Sequence, residues 1–128
     1  MKNFLYYWLP VYVYAGVIFY FSSLPTIPPL IIEIYPETLI WHMIEYAIFS
    51  ILLFRALINS KTTTFRENAI HLAIIISILY GVTDEIHQHF VPGRTSSLFD
   101  IIANSVGSTV ILTKNIFDRG KLYFKRQL

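Results

Sequence analysis

Residues 80–108 read YGVTDEIHQHFVPGRTSSLFDIIANSVGS and carry most of the groups in this chain that could do chemistry. Asp84, Glu85, His87, Gln88, His89, Arg94, Asp100 and Asn104 lie between two strongly apolar stretches. His42, Glu45 and Tyr46 form a second, smaller group upstream, preceded by Ser22 and Ser23. A charge at the centre of a bilayer costs at least roughly 2.5–3.5 kcal/mol, so a cluster of charges among apolar segments points to function. Carboxyl groups held away from water suit general acid or base work, which makes Glu85 and Asp100 the candidate proton-handling pair. Arg94 offers a planar fork matched to phosphate or carboxylate, and with them completes a candidate catalytic set. His42, Tyr46, Asp84, Gln88, Asn104 and Ser23 are candidate ligand-binding groups around it. The competing structural reading is an ion pair between Arg94 and Asp100 or Glu85 that locks a loop.

Two other chemistries are weaker. Imidazole and carboxylate can bind zinc-like ions, and His42 and Glu45 are one helical turn apart with Asp84 and Glu85 elsewhere in the motif. But His87 and His89 are two apart and diverge on a helix, and no HExxH pattern is present. Hydrogen bonding is therefore the expected role of the histidines; no metal ligand and no cofactor is assigned. Ser22, Ser23, Ser96 or Ser97 could act as a nucleophile beside a histidine. A serine at a helix end is more often a hydrogen bonder, and Ser97 is placed to cap a following helix.

The elements that must position these groups are apolar. The chain has 128 residues, of which 55% are hydrophobic and 14% charged. Its mean hydropathy is +0.54. Soluble domains carry about 25% charged residues. With no cysteine there is no disulfide framework and no thiol nucleophile. The length allows one domain, 1–128. The apolar run at the start reaches Phe21, too long for a signal-peptide core, and reads as a retained anchor.

Four apolar segments stand out, at about 4–22, 39–58, 68–88 and 97–117. About 20 residues cross a bilayer core, so the first three fit directly. The fourth has 13 residues between Asp100 and Lys114 and spans only if its polar start lies at the interface or inside the bundle. Nine of the ten basic residues, all but Arg94, fall on one side of this arrangement. Six of the eight acids fall toward the other. By the positive-inside rule, the chain is an all-α integral membrane four-helix bundle with both termini cytoplasmic. A soluble bundle would leave that charge asymmetry as coincidence. The basic tail, Lys114 to Arg126, suits anionic lipid rather than nucleic acid, and no nucleic-acid partner is expected.

This topology gathers the polar residues at one outer level and predicts a single pocket open to the extracytoplasmic side. His42, Glu45 and Tyr46 share a helical face, as do Asp84 with Gln88 and Glu85 with His89. Asp100, Asn104 and Gly107 make a stripe on the fourth helix, where Ala103 and Gly107 permit close helix approach. Pro92-Gly93 reads as a tight turn that folds Arg94 back over the pocket. The proline-rich segment 24–38 reads as a lid. The aromatics of the first span and Trp41 read as interfacial belt.

Several of these residues form a recognisable pattern: Glu85-x-x-Gln88-x-Phe90-x-Pro92-Gly93-Arg94, then Ser97, Asp100, Asn104 and Gly107. Upstream stand Phe21-Ser22-Ser23-x-Pro25 and His42-x-x-x-Tyr46. In these blocks, at roughly 21–46 and 80–108, the chain resembles the VanZ-like family of small membrane proteins. The resemblance implies that Glu85, Gln88, Arg94, Asp100 and Asn104 are the core motif positions. It also implies a cell-envelope protein connected with susceptibility to the glycopeptide teicoplanin. The expected partner is a membrane lipid or lipid-linked envelope precursor. A membrane-embedded enzyme acting on a lipid headgroup is the alternative. A transporter is disfavoured, because 49–53 and 72–76 offer no polar relay beyond Ser50. The oligomeric state is left open.

Overall fold

The computed structural model describes residues 2–25, 35–94 and 96–113. They form five helices: α1 (Lys2–Ser23), α2 (Tyr35–Ile58), α3 (Thr63–Glu67), α4 (Ala69–His89) and α5 (Leu98–Ser108). No strand occurs among the described residues. Three of the helices are long and apolar enough to cross a membrane, over Phe4–Ser23, Leu39–Ile58 and Ala69–His89. With the shorter apolar α5 they fit a helical membrane bundle. A backbone whose hydrogen bonds all close within the segment is what hydrocarbon demands. Elements α1, α2, α4 and α5 alternate in direction, so the C-terminal ends of α1 and α4 meet the N-terminal halves of α2 and α5. The polar residues of all four collect at that end.

The regular helix in the fourth apolar segment is Leu98–Ser108, inside the expected 97–117, whose last four residues lie outside the described ones. Beyond Ser108 the backbone tightens to bonds three residues apart, from Thr109 N–H to Val106 O and from Val110 N–H to Gly107 O. The hydroxyls of Thr109 and Thr113 donate to Val106 O and Val110 O, competing with the helical ladder. An eleven-residue helix rises only about 16 Å, roughly half of a bilayer core. The small helix α3, which buries no residue, was not foreseen in the connection between the second and third spans. The expected lid lies largely outside the described residues, as does the basic tail beyond Thr113.

Small residues let α2, α4 and α5 approach closely. A Cβ at Gly107 would sit 2.9 Å from Met43 Cα and its carbonyl carbon, and closer still to the carbonyl oxygen. At this crossing backbone meets backbone. A Cβ at Gly81 would lie 3.1 Å from both Asn104 Cβ and Tyr46 Cε1. Deeper in the interface, Ser77 and Ser108 share a hydrogen bond of 2.7 Å, and Ser108 donates onward to Asn104 O. The apolar core includes Tyr46, Phe49, Leu53, Leu57 and Ala73, with Val11 and Ile18 contributed by α1.

Helix α1 is the peripheral wall. Only 11% of its apolar window is buried, against 28% for α2 and 33% for α4. It is tied on by Tyr80, whose hydroxyl donates to Ala15 O at 2.7 Å. At the end away from the polar cluster, the Arg55 guanidinium lies over the rings of Tyr6 and Tyr7, 4.7 and 5.2 Å from their centroids. Such cation–π contacts contribute about 0.5–1 kcal/mol where solvent reaches them.

Candidate functional site

The polar residues meet because α2 and α5 cross at Met43 and Gly107. That crossing sets His42, one residue before Met43, against Asn104, one turn before Gly107. His42 Nδ1 donates to Asn104 Oδ1 at 3.1 Å. The other ring nitrogen, Nε2, faces Asp100 Oδ1 at 3.9 Å. Glu85 Oε1, from α4, lies 4.0 Å from His42 Nδ1. One donor atom from each of His42, Glu85 and Asp100 lies within 4.8 Å of the other two. Sequence spacing did not assemble this trio, because periodicity reports faces within one helix and these three residues come from three helices.

Glu85 is the most unusual member. It is 2% exposed, and neither carboxylate oxygen has a hydrogen-bond partner among the described residues. Buried polar groups are almost always bonded, so such a group calls for a physical reason. Asp100 sits in the first turn of α5, where the helix N-terminus favours an anion. Ser97 caps that helix, its hydroxyl accepting from Phe99 N–H at 3.1 Å.

Asp84 and Gln88 lie one turn apart and both are buried, with Gln88 Nε2 donating to Asp84 Oδ2 at 2.9 Å. They line a cleft of about 230 Å³ together with Ser22, His42, Glu45, Arg94 and the apolar Ile18, Phe21 and Trp41. A second cleft of about 250 Å³ opens on the far side of α4. Its wall is mainly apolar, from Ile86, Phe90, Leu98 and Ile101, with Glu85, His89, Ser96 and Ser97. The expected single pocket is therefore two clefts, with α4 between them. Ile86 to Phe90 and Leu98 to Ile101 are one-turn apolar spacings that point to this second wall in the sequence.

Among the described residues Arg94 pairs with no acid. Val91, Pro92, Gly93 and Arg94 make a tight turn, closed by Arg94 N–H to Val91 O at 3.1 Å, with Gly93 at φ 79°. That φ suits glycine in the third position after proline. The turn folds Arg94 back, as its residues imply, but toward α1. Its Nε donates to Leu24 O at 3.1 Å and its Nη2 to Phe21 O. Phe21 O is among the last carbonyls of α1 and also accepts from Leu24 N–H at 3.3 Å, Leu24 O lies just past the helix end, and a cation is favoured there. The ion-pair reading of Arg94 with Asp100 or Glu85 is thus corrected: the guanidinium straps the loop to α1 while lining the polar cleft. Helix α1 stops just before Pro25, so carbonyls in need of donors were implicit in the sequence.

Ser23 lines neither cleft. Its hydroxyl donates to Phe19 O at 2.6 Å and lies 3.0 Å from His87 Nε2. With its single proton directed at Phe19, the serine accepts from the imidazole, the reverse of what activating a nucleophile requires. His87 stacks on Phe19 at 4.7 Å. His89 turns the other way, toward Ser96 Oγ at 3.4 Å. It is Ser22, buried and with its hydroxyl unpartnered among the described residues, that faces the polar cleft. Tyr46 is wholly buried behind the cluster, packed edge-on to Phe49 at 6.2 Å, and its hydroxyl is also unpartnered.

Comparison with curated proteins and with solved structures gave no match. Comparison with family models gave a match to VanZ/LLP1 over residues 7–113. That stretch takes in all four apolar helices and every residue of the polar cluster, and it covers most of the chain. The chain belongs to the VanZ/LLP1 family.

Proposed function

We propose that this protein is a multi-pass envelope protein whose polar end faces the extracytoplasmic side. There it engages the headgroup of an envelope lipid or lipid-linked precursor, and through that contact alters susceptibility to glycopeptides such as teicoplanin. The observation that carries this reading is the pair of clefts flanking α4. One is lined by His42, Glu45, Asp84, Gln88 and Arg94. The other is walled by Ile86, Phe90, Leu98 and Ile101. A polar cleft beside an apolar one matches the two chemistries of a single lipid. Two Arg94 donors serve α1 carbonyls, and a guanidinium has five, so others remain for a phosphate or carboxylate at the rim. Gln88, Asp84 and Ser22 would bond headgroup hydroxyls or amides. Asn104 orients His42, and Tyr46 backs the site.

A second reading, an enzyme acting on that headgroup, is favoured by Glu85 alone. A buried carboxyl with no partner is poised for proton transfer. Asp100 would then assist at the mouth.

The test is the teicoplanin inhibitory concentration of a Gram-positive host expressing wild type or Glu85→Gln at matched membrane levels. Wild type raises it at least fourfold and the variant does not. Lipid mass spectrometry of both purified proteins separates the readings. A lipid retained by Glu85→Gln without the phenotype supports catalysis, and loss of the lipid supports binding. No rise with wild type and no retained lipid would sink the proposal.

A further inference from the structure

Glu85 has no hydrogen-bond partner among the described residues and is nearly sealed from solvent, yet it faces a second acid and an imidazole. Two carboxylates in a low-dielectric site repel each other, and the basic side chain that the described residues place nearest both is the His42 imidazole, at 4.0 and 3.9 Å. A divalent cation would neutralise both. The donor set, one imidazole nitrogen and two carboxylate oxygens, suits zinc and leaves a coordination position open, as in sites where a zinc-bound water or substrate occupies the fourth place. We propose that His42, Glu85 and Asp100 form a zinc site at the junction of α2, α4 and α5.

Three features support the assignment. The donor atoms lie within 4.8 Å of one another. Bonds of about 2.0–2.2 Å in a tetrahedral site place donors roughly 3.3–3.6 Å apart, so small side-chain rotations close the set. Asp100, partly exposed in the first turn of α5, is free to make that adjustment. The second feature is the outer shell. Asn104 Oδ1 accepts from His42 Nδ1, the nitrogen 4.0 Å from Glu85 Oε1, and this leaves Nε2, 3.9 Å from Asp100 Oδ1, to meet the ion once the Glu85 carboxylate turns toward it. Metal-bound histidines are held in this way, through the nitrogen that does not touch the metal. The third is Glu85 itself, buried and unpartnered among the described residues, with Oε1 4.0 Å from His42. The site stands apart from the lipid proposal, since an ion could bind whether or not a headgroup does. If both hold, the open position would polarise a headgroup phosphate or carbonyl.

The test uses the full chain in nanodiscs, stripped with chelator and titrated with Zn²⁺ against a chromophoric competitor. Wild type takes up one Zn²⁺ per chain with micromolar or tighter affinity. Asp100→Asn and Glu85→Gln each weaken uptake at least a hundredfold. Asn104→Ala weakens it roughly ten- to a hundredfold through loss of His42 orientation. His87→Ala and His71→Ala, at histidines outside the trio, leave it unchanged. Thermal melting separates loss of the site from loss of the fold. Without metal, Glu85→Gln melts at or above the wild-type temperature, because an unpaired buried carboxylate is gone. Zn²⁺ raises the melting temperature of wild type and not of the variant. Absence of stoichiometric uptake by wild type, or uptake undiminished in the Glu85→Gln/Asp100→Asn double variant, would overturn the proposal.

Discussion

Arg94 shows how one side chain can serve both architecture and recognition. Lysine at this position keeps the charge but presents a compact ammonium in place of a planar fork. It cannot reach Phe21 O and Leu24 O in the same way. Arg94→Lys is therefore expected to lower stability by about 1.5–3 kcal/mol, the range for a hydrogen bond to a charged group. Equilibrium unfolding in mixed micelles would measure it, and faster amide exchange confined to the last turn of α1 would locate it. The residue types at the polar end were legible in the sequence, because charges stand out in so apolar a chain. Their partners were not. The Pro-Gly turn fixes the direction in which Arg94 leaves the loop, but the carbonyls it meets belong to a helix some seventy residues earlier. Ser22 and Ser23 are adjacent and chemically identical, and only the rotation of α1 decides which of them faces the cleft.

At the scale of elements, the crossing of α2 and α5 determines the site. Gly107 meets main-chain atoms of Met43, which no rotamer change can move aside. Gly107→Ala is expected to force the two helices apart at a cost of about 1–3 kcal/mol, the usual range for overpacking. It would also separate His42 from Asn104. A His42 imidazole NMR resonance shifted in Gly107→Ala as it is in Asn104→Ala would check this. Gly16→Ala is the matched control. Nothing lies within 4 Å of a Cβ there, so the change is expected to be neutral or mildly stabilising. The three long helices were legible because length and hydropathy are what a membrane selects. In the fourth span hydropathy does not register Ser108, Thr109 and Thr113 turning their hydroxyls onto the backbone where the regular α5 gives way. The stripe of Asp100, Asn104 and Gly107 did signal close packing, with α2 as the neighbour supplied by the fold.

For the molecule as a whole, the division is between a packed trio, α2, α4 and α5, and a helix laid against it. The trio holds His42, Glu85, Asp100 and Asn104 without help from α1. Helix α1 contributes Ile18, Phe21 and Ser22 to one wall of the polar cleft. The gathering of polar groups at one end followed from antiparallel helices of membrane length and could be read in advance. Their split into two clefts could not, because it depends on α4 passing between them with Glu85 facing one side and Asp84 the other.

The strap from Arg94 to α1 also sets an order of events during synthesis. Helix α1 is made before the other apolar helices described. At the polar end, however, its clamp is an arginine that leaves the ribosome about seventy residues later. Until then α1 has only the contacts nearer its middle, such as Tyr80 to Ala15 O, and its polar end is unclamped. Such a helix can arrive on a separate chain. Co-expression of a piece ending after Pro25 with a piece beginning at Tyr35 is expected to give a complex that co-purifies. Arg94→Ala in the second piece is expected to reduce recovery of the first. The polar end of α1 is thus fixed by a residue made some seventy positions after it.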